Sequence, residues 1–223
     1  PPLVHQLPIK IENIMSKNAI IREVKTFSCS NSWRNYYFLK ITTEDGISGW
    51  SEFDQNFGSP GVEAAIHQIQ HRLIGQSVMN HEHIREDLRN VTRPGSGGVV
   101  GQALGAIENA LLDAKAKTMG VPCYTLLGGK VRDRIRVYWS HCVSYRARTE
   151  HFSPPIFDLD GVRQIARDVG AQGFTGLKTN IFNYDENDRI SAWAPGFGRP
   201  FEAGRNVERR TRQNLRRHLE VIR

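Results

Sequence analysis

Between residues 9 and 53 the apolar and polar positions alternate in short runs, and a period of two predicts β-strands. Residues 9–15 and 20–27 lie on either side of a polar Ser16-Lys17-Asn18 turn. Residues 36–43 and 47–53 flank Glu44-Asp45-Gly46, where glycine supplies the positive φ that a tight hairpin needs. An antiparallel meander of three strands is the expected result.

After residue 60 the spacing lengthens to three and four. Val62, Ala65, Ile66, Ile69 and Leu73 mark one helix, and Ile84, Leu88 and Val91 a second. The third and strongest helix carries Val100, Ala103, Leu104, Ile107, Ala110, Leu111 and Ala114 on one face. Gly120 and Pro122 stand where a C-terminal cap and a helix breaker belong. Strands followed by helices make an α+β unit.

From residue 134 the pattern alternates: a strand over 135–139, a helix over 161–169 capped by Asp160 and stopped by Gly170, and a strand over 174–179. That order predicts a βαβ unit. A long irregular stretch, 181–204, then leads to a last helix over 207–222. The expected domains are an α+β domain over 1–133 and the start of an α/β domain over 134–223. Two parallel strands leave a sheet with bare edges, so the second domain reads as incomplete.

The 223 residues include 39% hydrophobic and 24% charged positions, the balance of a globular chain. No apolar run reaches the roughly 20 residues that span a bilayer, and the opening lacks the basic-then-apolar order of a secretory signal. A cytoplasmic protein with no membrane partner is expected. Cys29, Cys123 and Cys142 are odd in number, widely spaced and free of any C-x-x-C pair, so free thiols are expected.

The formal net charge of +7 is concentrated at one end: residues 199–223 hold eight Arg against three Glu. From Arg205 onward no Phe, Tyr or Trp interleaves with these arginines, which favours a solvated helix face over a nucleic-acid surface. His81-Glu82-His83 sits at a helix start, where residues two apart diverge, and does not form a metal site. Gly95-Ser96-Gly97-Gly98 follows a charged helix and not the strand that a dinucleotide-binding fold requires. No G-x-S-x-G nucleophile motif is present.

The segment AIENALLDAKAKTMGVPCYTLLGGKVRDRIRVYWSH, residues 106–141, resembles the junction between the capping domain and the barrel in the enolase superfamily, in its mandelate racemase-like branch. YYFLKITTEDGISGWSEF, residues 36–53, is similar to that family's capping-domain hairpin, and GAQGFTGLKTN, residues 170–180, to its second barrel strand. The resemblance implies an α/β protein: an α+β enolase-type capping domain followed by the first part of a modified TIM (β/α) barrel. It also implies abstraction of the proton α to a carboxylate, with Mg²⁺ held by acidic residues on the third to fifth barrel strands. Those ligands would lie beyond residue 223, so no metal ligand is expected within this chain, and the piece alone would be inactive.

Two parts of the family's machinery fall inside the chain. Lys178 occupies the first position of a Lys-x-Lys pair that family members often carry, and Asn180 stands where a racemase would place the second lysine. The resemblance therefore implies that Lys178 and Asn180 are catalytic residues, Lys178 holding the carboxylate and offsetting enediolate charge and Asn180 donating a hydrogen bond. Residues two apart on a strand share a side, so both should face the barrel mouth. Ser140 and His141, at the end of the first barrel strand, are the next substrate-binding candidates, Ser140 taking the inward side.

In this family, loops of the capping domain select the substrate. Their equivalents, 28–35 and 54–61, offer Trp33, Arg34, Phe53 and Phe57. The implied reaction is dehydration of a small-molecule sugar acid to a 2-keto-3-deoxy acid by a lyase that forms homo-oligomers and binds no nucleic acid. The alternatives are a racemase, epimerase or cycloisomerase on the same scaffold, or a non-catalytic binding protein if the chain truly ends at residue 223.

Overall fold

The computed structural model describes residues 19–31, 34–56, 59–95, 97–147, 154–193 and 208–223. The chain divides into two compact units, Pro1–Val131 and Arg132–Arg223. The strand expected over 9–15, with its turn at 16–18, lies outside the described residues.

In the first unit, β1 (Ile21–Asn31), β2 (Arg34–Thr43) and β3 (Ser48–Phe53) form an antiparallel meander in the order β1-β2-β3. The hairpin register pairs Tyr37 with Phe53 and Thr42 with Ser48, and Gly46 adopts φ 85° in the turn between them. Leu39, Ile41 and Thr43 alternate onto one face and are fully buried. On the opposite face Lys40 lies 5.2 Å from the ring of Trp50, which packs against Phe27.

Three helices cover the buried face: α1 (Val62–Ile69), α2 (His81–Val91) and α3 (Gly98–Met119). The first is shorter than its apolar spacing predicted, because the chain tightens into a 3₁₀ turn over Gln70–Arg72 before Leu73 enters the core. Along α3, Ala103, Ala106, Ala110 and Ala114 are buried. Their small side chains let the helix approach the sheet, and Gly49 of β3 completes the approach: a Cβ there would lie 2.0 Å from the Ala110 carbonyl oxygen. Polar contacts fix the register, with the Ser51 hydroxyl donating to Ala106 O (2.6 Å) and the Trp50 N–H to the Asp113 carboxylate (2.8 Å). Gly120, at φ 69°, ends α3 as expected, and a single helical turn, α4 (Cys123–Leu126), follows Pro122.

The second unit is built on α5 (Leu159–Ala171), the hairpin β4 (Phe182–Tyr184) with β5 (Ile190–Trp193), and α6 (Arg209–Ile222). Leu159, Val162, Ile165 and Val169 of α5 pack with Cys142, Val143, Phe182, Tyr184 and Ile190. Three sequence expectations need correction here. The cap of α5 is Asp158 and not Asp160: the Asp158 carboxylate accepts from the Gly161 N–H at 2.8 Å, and the helix starts two residues earlier than expected. The stretch 181–204, expected to be irregular, contains the β4–β5 hairpin, since Phe182 and Tyr184 alternate into the core.

The expected parallel strands over 135–139 and 174–179 are present only as one parallel bridge, Trp139 to Leu177. Trp139 N–H donates to Gly176 O (3.1 Å) and Lys178 N–H to Trp139 O (2.9 Å). A parallel ladder needs cover on both faces. Ile135 and Val137 are 75% and 62% exposed in this chain.

Candidate active site at the Lys178 segment

Residues 176–180 are held by side chains as much as by backbone pairing. Arg136 clasps Thr175, donating from Nε to its hydroxyl (2.6 Å) and from Nη2 to its carbonyl (2.5 Å). Both backbone groups of Lys178 are used: its N–H by Trp139, and its carbonyl by the Cys142 N–H at 3.1 Å. The Asn180 N–H donates to the Ser144 hydroxyl at 3.0 Å, and Ser144 is buried. With the backbone fixed on both sides, Lys178 carries an exposed ammonium on a rigid base, with half-buried Asn180 two residues on.

His141 stands next to this segment. Its backbone is left-handed (φ 52°), a conformation tolerated by histidine more readily than by bulkier residues. The half-buried ring packs on Tyr145 with centroids 5.1 Å apart, and its buried Nδ1 has no hydrogen-bond partner among the described residues. Burial, and secondarily the positive charge of Lys178, hold its pKa below the usual histidine value. A neutral imidazole beside an ammonium is suited to grip an anion that carries hydroxyl groups: the cation neutralises charge and the ring exchanges hydrogen bonds without adding a second charge.

The side alternation expected for Ser140 and His141 does not hold. Ser140 is exposed, while His141 shares the electrostatic environment of Lys178. Extended geometry ends at Trp139, and the left-handed turn at His141 breaks the period-two rule. The buried hydroxyl that meets the second segment belongs to Ser144, which the sequence reading missed. A second missed group is His218 on α6, fully buried between Thr179 and Tyr184. Its trace in the sequence is a polar stripe, Thr211, Asn214 and His218, at the helical spacing where buried apolar residues would be expected.

The capping-domain candidates are all in the first unit. Arg34 opens β2, lies 5.1 Å from the ring centroid of Tyr36, and has a buried Nε without a partner among the described residues. The structure joins its neighbourhood to the second loop: Asn56 Nδ2 donates to Asn35 O at 3.2 Å. The Asp54 carboxyl is held below the usual carboxylate range by the Asn56 backbone and side-chain donors, with Arg34 adding to the effect. Gln55 and Glu63 exchange hydrogen bonds, Gln55 Nε2 to Glu63 Oε2 (2.9 Å) and Glu63 N–H to Gln55 Oε1 (3.1 Å), tying this loop to α1. Phe53 is a correction: it is 6% exposed and packs on Tyr37, so its ring is part of the core and is not free to cover a ligand. Trp33 and Phe57 lie outside the described residues.

Among the described residues no group of three or more His, Cys, Asp or Glu side chains could hold a metal ion. His81 of the His-Glu-His run instead faces Lys115, Nδ1 to Nζ at 3.1 Å. The described residues therefore offer no such ligand set, and no step below runs through a metal. Among the described residues no helix is long and apolar enough to cross a membrane.

A three-stranded antiparallel meander under three helices is the α+β architecture of an enolase-type capping domain. The chain belongs to the mandelate racemase / muconate lactonizing enzyme family, whose N-terminal domain profile matches residues 10–128. It is 37% identical over 118 residues to a D-galactonate dehydratase of Variovorax paradoxus (strain S110), a match spanning 53% of this chain and 30% of that protein. Among solved structures it is similar to a candidate L-alanine-DL-glutamate epimerase from Burkholderia xenovorans strain LB400, with 53% identity and a TM-score of 0.86 over 92% of this chain and 52% of that one. Another structure of the same description is bound to magnesium and fumarate. An enolase superfamily member from Salmonella Typhimurium, 24% identical with a TM-score of 0.73 over 92% of this chain and 51% of that one, shares the fold. The matched part of the chain thus spans about a third of the length of that curated relative, and the chain matches about half the length of these structures.

Proposed function

We propose that the whole protein removes the proton α to the carboxylate of a sugar acid and expels the β-hydroxyl as water, the resulting enol tautomerising to a 2-keto-3-deoxy acid, with magnesium as cofactor and the base supplied from outside the described residues. The observation that carries the reading is the pairing of Lys178 with Asn180 on one fixed segment beside neutral His141. Lys178 offsets the charge that develops on the carboxylate as the α-proton leaves, His141 and Asn180 orient the hydroxylated chain, and the packed backbone holds this geometry through the reaction. Magnesium would supply further charge stabilisation when bound; its ligands would come from residues other than those described.

The dehydratase names of the curated relatives support elimination, and the epimerase description of the Burkholderia protein favours a second reading, 1,1-proton transfer. Such a transfer needs an acid–base group on each side of the α-carbon. Asn180 cannot accept or return a proton at neutral pH, so this segment lacks, at the position where a racemase would carry a lysine, the acid–base group that one side of the α-carbon needs. We therefore rank elimination first.

The test uses the full-length protein with Mg²⁺, a panel of sugar acids and a panel of dipeptides in D₂O. Keto-acid release from a sugar acid is the expected result. Deuterium incorporation at the α-carbon of a dipeptide without keto-acid release would replace elimination by epimerisation.

A further inference from the structure

The proton arrangement around His218 is fixed by its neighbours. The Thr179 hydroxyl donates its one proton to the Asn180 carbonyl oxygen at 3.1 Å. Thr179 Oγ1 itself lies 3.3 Å from His218 Nε2 and has no proton left to give, so the ring nitrogen has to be the donor in that contact. In a neutral imidazole the other nitrogen then accepts, and the Tyr184 hydroxyl, in close contact with Nδ1, supplies the proton. One continuous direction results: Tyr184 O–H to Nδ1, Nε2–H to Thr179 Oγ1, Thr179 O–H to Asn180 O.

From this geometry we infer that His218 is a positioning residue, whose Nε2-protonated tautomer holds the peptide carrying Asn180 and so the orientation of the Lys178–Asn180 pair. His218 is fully buried on α6, and its neighbours on that helix fasten it to the same hairpin. Asn214 Nδ2 donates to Asn183 Oδ1 (3.1 Å), Arg210 to Tyr184 O (3.4 Å), and Arg217 pairs with Asp188. The backbone of Asn180 is consequently held at both of its peptide groups, the one before it through its N–H to Ser144 and the one after it through its carbonyl, which accepts from Thr179 backed by the ring. Burial also keeps the Tyr184 phenol protonated and the imidazole uncharged, the two states that this chain of donors needs. The inference rests on the proposed role of Lys178 and Asn180, and its first readout is independent of that role.

That readout is the ¹⁵N spectrum of the imidazoles in the full-length protein at pH 7, with His218 assigned by its loss in His218→Gln. A neutral ring protonated at Nε2 is expected; a ring protonated at Nδ1, or an imidazolium, overturns the inference. Thr179→Val removes the relay and Thr179→Ser restores it. The valine variant should exchange the amides of residues 178–181 about tenfold faster and lower kcat for α-proton removal about tenfold, with KM little changed, since a misplaced reacting group costs rate. The serine variant should recover both. Unchanged exchange in Thr179→Val, or an equal loss of kcat in Thr179→Ser, overturns the positioning role. If the spectrum and the amide exchange behave as expected but no acid loses its α-proton in the wild type, the activity reading falls and the hydrogen-bond chain stands.

Discussion

Gly49 faces the Ala110 carbonyl oxygen across a gap that no side chain can enter, since a Cβ would approach to 2.0 Å and would also meet the Ala114 Cβ at 2.8 Å. The contact is backbone against backbone and cannot be relieved by a rotamer change. Gly49→Ala should destabilise the first unit by about 3 kcal/mol, at the upper end of overpacking costs, whereas Gly105→Ala, where a Cβ meets nothing within 4 Å, should stabilise α3 slightly. Urea denaturation of the two variants checks both signs.

Lys178 should separate catalysis from stability. Its side chain is exposed, so Lys178→Met should leave the thermal midpoint unchanged, while kcat/KM for α-proton removal by the full-length protein falls about 10²- to 10³-fold, as when one stabilising donor is removed. Lys178→Arg should recover only part of the loss, because a planar guanidinium does not reproduce a compact ammonium. Parallel kinetic and calorimetric measurements decide the matter.

His218 makes the second unit sensitive to acid. Burial holds its pKa down to about 4, against 6.5 for an ordinary histidine, so the unfolded chain takes up a proton at a pH where the folded protein refuses it. Its contribution is complete above pH 6.5 and declines as the pH falls toward 4, a change of about 3 kcal/mol. Denaturation midpoints between pH 7 and 4.5 should fall for the wild type, and the slope should flatten in His218→Gln, which does not titrate.

The cap of α5 offers a paired test. Asp158→Ala should cost about 1 kcal/mol through the lost bond to the Gly161 N–H, and Asp160→Asn should shift the midpoint little, since Asp160 is paired with Arg163 at an exposed position. Equal effects would contradict the assignment of the cap.

The capping domain was legible because each of its signals is local. The alternation of Leu39, Ile41 and Thr43, the Gly46 turn and the alanine-lined face of α3 record burial directly in residue type. The Asp158 cap was missed because two aspartates compete at the helix start and only backbone geometry chooses between them. Lys178 and Asn180 are proposed from a family pattern, and no pattern in the sequence points to the groups that hold them. Ser144 reaches Asn180 across 36 positions and His218 reaches Thr179 across 39, and no periodicity links residues that far apart. Phe53 was misread for the opposite reason: an aromatic residue near a loop fits both a ligand cover and a core, and only its packing on Tyr37 separates the two.

The single bridge between Trp139 and Leu177 has a consequence for how such a site diversifies. Given the role proposed for Lys178, a segment steered by Arg136, Ser144 and His218 more than by a ladder would let an exchange of one support reposition the lysine while its own codon stays untouched. New substrate preferences could then arise from residues that never meet the substrate.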